Sequence, residues 1–122
     1  MAAVIGFASA CSNGTKEAES VANDFLASYF ATDYQTAAGC CTEELGEALM
    51  TAVQEYYQME ENIQKGVVDI SSQVVTTITS VEAVAKDSVI VKYDIDMPDS
   101  EPTLHSTLTI TSVDGKWRVA EF

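Results

Sequence analysis

TLHSTLTITSVDGKWRVAEF, residues 103–122, is the stretch whose pattern decides the fold. Leu104, Leu108 and Ile110 point to one side, and Thr103, His105, Thr107, Thr109 and Thr111 to the other. A period of two marks a strand with one buried face. Asp114-Gly115 separates this run from a second one, in which Trp117 and Val119 oppose Lys116 and Arg118. Asp-Gly suits a tight hairpin, because both central residues of such a turn need positive φ. The pattern predicts two antiparallel strands, over 103–113 and 116–122.

The same period extends backwards. In 88–97, Val89, Val91, Tyr93, Ile95 and Met97 share a face, while Lys92, Asp94 and Asp96 share the other. A fourth strand is predicted over 72–85, rich in Val, Ile and Thr, which suit a pleated, half-buried surface. Lys86-Asp87 and the loop 98–102 supply the turns. Before Gly66 the period becomes helical. Over 16–32, Ala18, Val21, Ala22, Phe25, Tyr29 and Phe30 recur at spacings of three and four. Asp33 suits the N-cap of a short helix from Tyr34 to about Cys40, and Thr42 the cap of a third. That third helix has a stripe of Leu45, Leu49, Ala52, Val53 and Tyr56; it should fade over 60–62 and stop at Gly66. Helices followed by a strand meander indicate an α+β domain, with the helices packed on a curved four-stranded antiparallel sheet.

Six basic residues against nineteen acidic ones give 122 residues a formal net charge of −13. Six scattered cations cannot form a phosphate-binding stripe, so nucleic acid is excluded as a partner. The same balance argues against adhesion of the folded domain itself to an anionic lipid surface. No apolar run approaches the roughly 20 residues of a membrane-spanning helix. With 47% hydrophobic residues, one ordinary core is within reach.

The N-terminal residues 1–10, MAAVIGFASA, are apolar or small, and Cys11 follows. Ala8, Ser9 and Ala10 directly before Cys11 resemble the lipobox of bacterial lipoproteins, in which the signal is cut before the Cys and the Cys is lipidated. The resemblance implies three parts: a residual or truncated signal segment at 1–10, lipidated Cys11 with a short polar leash at 11–16, and a single domain at 17–122. It implies a place in the bacterial cell envelope, with membrane contact only through the lipid on Cys11. The alternative is an unused signal and a soluble chain.

The three helices, the sheet and the closing hairpin Val113-Asp114-Gly115-Lys116-Trp117-Arg118-Val119 resemble the cystatin-like cone of nuclear-transport-factor-2-like proteins. Phe25, Leu26 and the segment 33–42 before Glu43-Glu44 look similar to a small envelope-lipoprotein branch of unknown function. Family members include a steroid isomerase, dehydratases, ligand binders, transport adaptors and non-catalytic modules, so the fold leaves function open.

In such a cone the interior is the place for chemistry, and here its residues are almost wholly apolar. Phe25, Tyr29, Tyr93, Met97 and Trp117 are expected either to line a ligand cavity or to fill it as core. The resemblance makes Tyr29 and Asp33 the catalytic candidates of an isomerase- or dehydratase-type enzyme, although Asp33 also reads as a helix cap. His105, the single histidine, falls on the outer, Thr-rich face, where solvation is expected rather than proton transfer. Asp94, Asp96, Asp99 and Glu101 crowd one stretch, but Ile95, Met97 and Pro98 interrupt the polar spacing of a calcium loop. They read as a solvated strand and loop, with a weak cation site as the alternative. Cys40-Cys41 reads as buried thiols at a helix end, as a strained vicinal disulfide, or as partners of other thiols. No metal and no cofactor is expected. The expected role is a non-catalytic, tethered domain that binds a protein, a peptide or a small apolar ligand, as a monomer or weak dimer. An enzyme, and a structural module that oligomerises through the outer sheet face, are the alternatives.

Overall fold

The computed structural model describes residues 12–97 and 102–122. Helix α1, Ser12–Phe30, buries Ala18, Ala22, Phe25 and Leu26, which recur on one face. It ends where Thr32 takes φ 59, a left-handed conformation in which the helix cannot continue. Two short helices follow, α2 over Tyr34–Gly39 and α3 over Glu43–Ala52. The expected caps are in place. Asp33 Oδ1 accepts from the Thr36 amide at 3.3 Å, and Thr42 Oγ1 accepts from the Leu45 amide at 3.2 Å. Glu43 and Glu44 complement the dipole in the first turn of α3.

Four strands, β1 Val75–Ala85, β2 Ser88–Asp96, β3 Leu104–Val113 and β4 Lys116–Glu121, form one antiparallel sheet in chain order. Asp114 and Gly115 both have positive φ, 53° and 80°, as their dipeptide requires. Val89, Val91, Tyr93, Leu108, Ile110 and Val119 point into the core with Leu49 and the buried face of α1. After α2 the chain lies along β4: the Thr42 amide donates to Val119 O at 2.9 Å, and the Val119 amide to Cys40 O at 2.8 Å. This short bridge pins the helical layer to the sheet.

Four expectations need correction. The third helix does not run to the 60–62 region; it breaks at Val53, and two further helices follow, α4 over Gln54–Gln58 and α5 over Glu61–Ser72. Gly66 lies inside α5 rather than ending it. Met59 and Glu60 are extended, and the Gln64 side-chain Nε2 donates to Met59 O (2.9 Å) and Tyr57 O (3.3 Å) while its backbone N–H donates to Glu60 O, so the new helix starts there. The first strand consequently begins at Val75, not at residue 72. Leu104, expected inside, is half exposed, because it pairs with Ile95 at the end of β3. Finally, residues 12–16 are the opening of α1 and not a leash. Gly14 faces the Trp117 indole so closely that a Cβ there would sit 3.0 Å from the ring, which fixes this turn against the sheet.

Candidate functional site

The cone interior is built from α1 and the inward faces of β2 to β4. One turn apart on α1, Phe25 and Tyr29 stack with ring centroids 5.7 Å apart. Phe122, just beyond β4, sets its ring 5.1 Å from Phe25 and 5.6 Å from Tyr29. Phe30 and Tyr34 meet Tyr29 edge-on at 5.1 and 5.6 Å, and Tyr34 passes the contact to Tyr56 at 5.4 Å. These are the tilted and T-shaped arrangements that aromatic quadrupoles favour. Burial raises the Tyr34 phenol above its ordinary pKa, and the neighbouring tyrosines reinforce the effect.

Four of the five expected interior residues share this core. Phe25 and Tyr93 are buried in it, and Tyr29 and Trp117 pack against it. Met97 lies past the end of β2, half buried and outside the cluster. Four hollows between described residues open at the outer surface. They lie along α2 and α3, beside the β3–β4 turn, beside Glu17 and Trp117, and on the outer sheet face next to Tyr93. None of these is lined by Phe25, Tyr29 or Met97.

Sequence reasoning missed Phe122. Strict alternation from Trp117 and Val119 would place Glu121 inside and Phe122 outside. Instead Ile110 pairs with Val119 and Thr109 with Glu121, so Ala120 is an extra, bulged residue. A one-residue bulge reverses the faces beyond it. Glu121 consequently accepts a hydrogen bond from Thr109 on the outer face, while the Phe122 ring reaches Phe25.

Tyr29 and Asp33 do not form a dyad on one helical face. The turn at Thr32 separates them; the Tyr29 ring faces the aromatic cluster, while the exposed Asp33 carboxylate caps α2. Cys40 and Cys41 are both free thiols, so no disulfide joins them. Cys41 donates to Ala37 O at 3.3 Å, and burial, then the adjacent Cys40, pushes its pKa up to about 11 against a lowering effect of Arg118. Burial, then Asp24, also raises the Cys40 thiol. Neither thiol is an activated nucleophile at neutral pH. Cys11 lies outside the described residues.

On the outer face His105 Nδ1 lies 2.6 Å from Asp94 Oδ1, and Thr103 donates to Asp96 at 2.6 Å. His105 itself is 78% exposed. Cross-strand pairing explains the first contact, since Asp94 sits opposite His105 in the register. Among the described residues, no three His, Cys, Asp or Glu side chains converge as a metal site would need. Asp99 and Glu101 lie outside the described residues.

No protein-family model matches the chain, and no curated protein matches it in sequence. Its fold does match a solved one. An NTF-2-like protein of unknown function from Shewanella oneidensis MR-1, determined at 1.70 Å resolution, superposes with a TM-score of 0.57 at 13% identity. The match covers 88% of this chain and 94% of that one. The domain therefore has the NTF-2-like α+β cone: helices packed on an open, four-stranded antiparallel sheet.

Proposed function

We propose that this NTF-2-like domain is a non-catalytic binding module, held at the bacterial envelope by a lipid on Cys11, and that a protein or peptide partner engages its outer surface. One observation carries the reading: Phe122, still 48% exposed, sets its ring against Phe25 and Tyr29, interior side chains that an apolar ligand of the cone would have to touch. Proton-transfer chemistry would also need a buried acid or base facing a pocket. Of the two catalytic candidates, Asp33 is committed to the N-terminus of α2 and Tyr29 to its aromatic neighbours.

Titration with Nile red, an uncharged apolar dye, tests the reading. The folded protein is expected to leave the dye's emission unchanged. Saturable one-to-one uptake, abolished by Phe25→Ala in a variant that still folds, would show an open cone and favour the small-ligand or enzymatic alternative. The tether is tested by mass spectrometry of the mature N-terminus after expression of the full-length gene in a bacterial host. A diacylated Cys11 is expected, and an intact Met1 would remove the envelope from the account.

A further inference from the structure

We infer that the apolar face of α5 is a self-association surface, on which a second copy of this chain docks antiparallel through its own α5. Neither Cys11 nor the cone interior takes part in this contact.

α5 stands without the packing that usually sustains a helix of its length. It buries no residue, none of its side chains joins the core, and no other described element packs broadly against it. Its sequence is nonetheless amphipathic. Ile63, Val67 and Ile70 recur at spacings of four and three, with Gly66 on the same face, while Glu61, Lys65 and Asp69 take the opposite one. Ile63 is 49% and Ile70 57% exposed. One exposed isoleucine needs no explanation, but here the exposure is concentrated. Among the described residues, six of the ten large exposed apolar side chains lie in 57–75, which is α5 and its two flanks.

Two features select a second copy as the occupant. The first is the order of the residues. Ile63, Gly66, Val67 and Ile70 have the same spacing in both directions about a midpoint between Gly66 and Val67. Met59 and Val74, beyond the two ends of α5, are again equally distant from it. A two-fold axis through that midpoint makes an isologous pair. It sets Ile63 level with Ile70 of the partner, and Gly66 level with Val67 of the partner. A Cβ on Gly66 would meet nothing within 4 Å in its own chain, so the partner's Val67 finds open space there.

The second feature is charge. Glu61, Lys65 and Asp69 give α5 a net charge of −1, so −12 of the total −13 lies elsewhere. Two acidic bodies meet at least cost through a nearly neutral helix that stands apart from the rest. In the antiparallel register Glu61 is level with the partner's Ser72 and Lys65 with the partner's Val68, so no like charges of α5 stand level. The 12 residues of α5 span about 18 Å. Such a contact falls below the roughly 800 Å² per partner of a standard interface, which makes the dimer concentration-dependent.

Sedimentation velocity of the full chain carrying Cys11→Ser, which excludes lipid-driven association, tests the contact. A monomer–dimer equilibrium is expected between about 1 and 500 μM. Ile63→Glu/Ile70→Glu should weaken it at least tenfold, with the far-ultraviolet circular dichroism of the domain retained. High salt should leave the dimer as tight or tighter, because it screens the repulsion between the bodies. Register is read by thiol cross-linking in a Cys11→Ser/Cys40→Ser background, which also decides the matter if the double glutamate variant does not fold. Ile63→Cys and Ile70→Cys proteins, mixed under oxidised glutathione, are expected to link to each other faster than either links to itself. Like positions lie about 10 Å apart along the axis, too far for a disulfide. A chain that stays monomeric at the highest concentration overturns the inference. So does a dimer that Ile63→Glu/Ile70→Glu leaves intact, that dissociates in high salt, or whose cysteines link equally in mixed and single samples.

Discussion

Phe25 is 1% exposed, with its ring held between those of Tyr29 and Phe122. Truncating such a residue removes its transfer free energy and leaves a cavity. Phe25→Ala is expected to lower the unfolding free energy by about 3–5 kcal/mol in a denaturant titration. A loss under about 1 kcal/mol would mean that the ring is not packed. Cys41 makes a prediction in pH. Its folded thiol is raised from 9.0 to about 11, so between those values the native state holds a proton that the unfolded chain releases. Stability from this group is complete below pH 9 and is lost as pH rises through 11. The raised Cys40 and Tyr34 groups act in the same direction. The melting temperature should therefore fall across this alkaline window, and Cys41→Ala should flatten the fall. An unchanged slope in the variant would contradict the burial of the thiol.

Two glycines, each inside a helix, give opposite expectations at the level of the element. In α3, a Cβ on Gly46 would meet the Ala38 carbonyl oxygen of α2 at 2.9 Å, so α2 and α3 approach as closely as they do only because the side chain is missing. Gly46→Ala should destabilise by about 1–3 kcal/mol, the usual cost of overpacking. In α5, a Cβ on Gly66 would meet nothing within 4 Å. Gly66→Ala should add up to about 1 kcal/mol of helix propensity, read as increased helical circular dichroism or reduced amide exchange in α5. Equal effects at both sites would contradict the close α2–α3 packing.

These elements also show what the sequence could and could not disclose. The strands, the Asp114-Gly115 turn and the caps at Asp33 and Thr42 were legible because each depends on residues a few positions apart. Gly66 misled because a glycine's meaning as a helix stop is only a local preference, and the extended pair Met59–Glu60 moved the break upstream. Phe122 was hidden because the bulge at Ala120 is set by pairing with β3, which no local pattern announces.

At the scale of the whole molecule, the net charge of −13 contrasts with a core that, among the described residues, is almost entirely apolar, with Ser28 its one buried polar side chain. Ser28 is satisfied locally, donating to Asp24 O at 2.7 Å. Most of the carboxylates accordingly act as a solvating shell. The candidate site was half legible: the sequence named Phe25, Tyr29, Tyr93 and Trp117 as interior residues, but whether they enclose space depends on Phe122, which it did not place. A crystal structure of the protein under xenon pressure tests that interior most directly, since xenon enters apolar cavities that water leaves empty. No ordered xenon is expected among Phe25, Tyr29, Tyr93 and Phe122. A xenon atom bound between those rings, with Phe122 displaced, would contradict the filled cone and return the interior to candidacy as a ligand site.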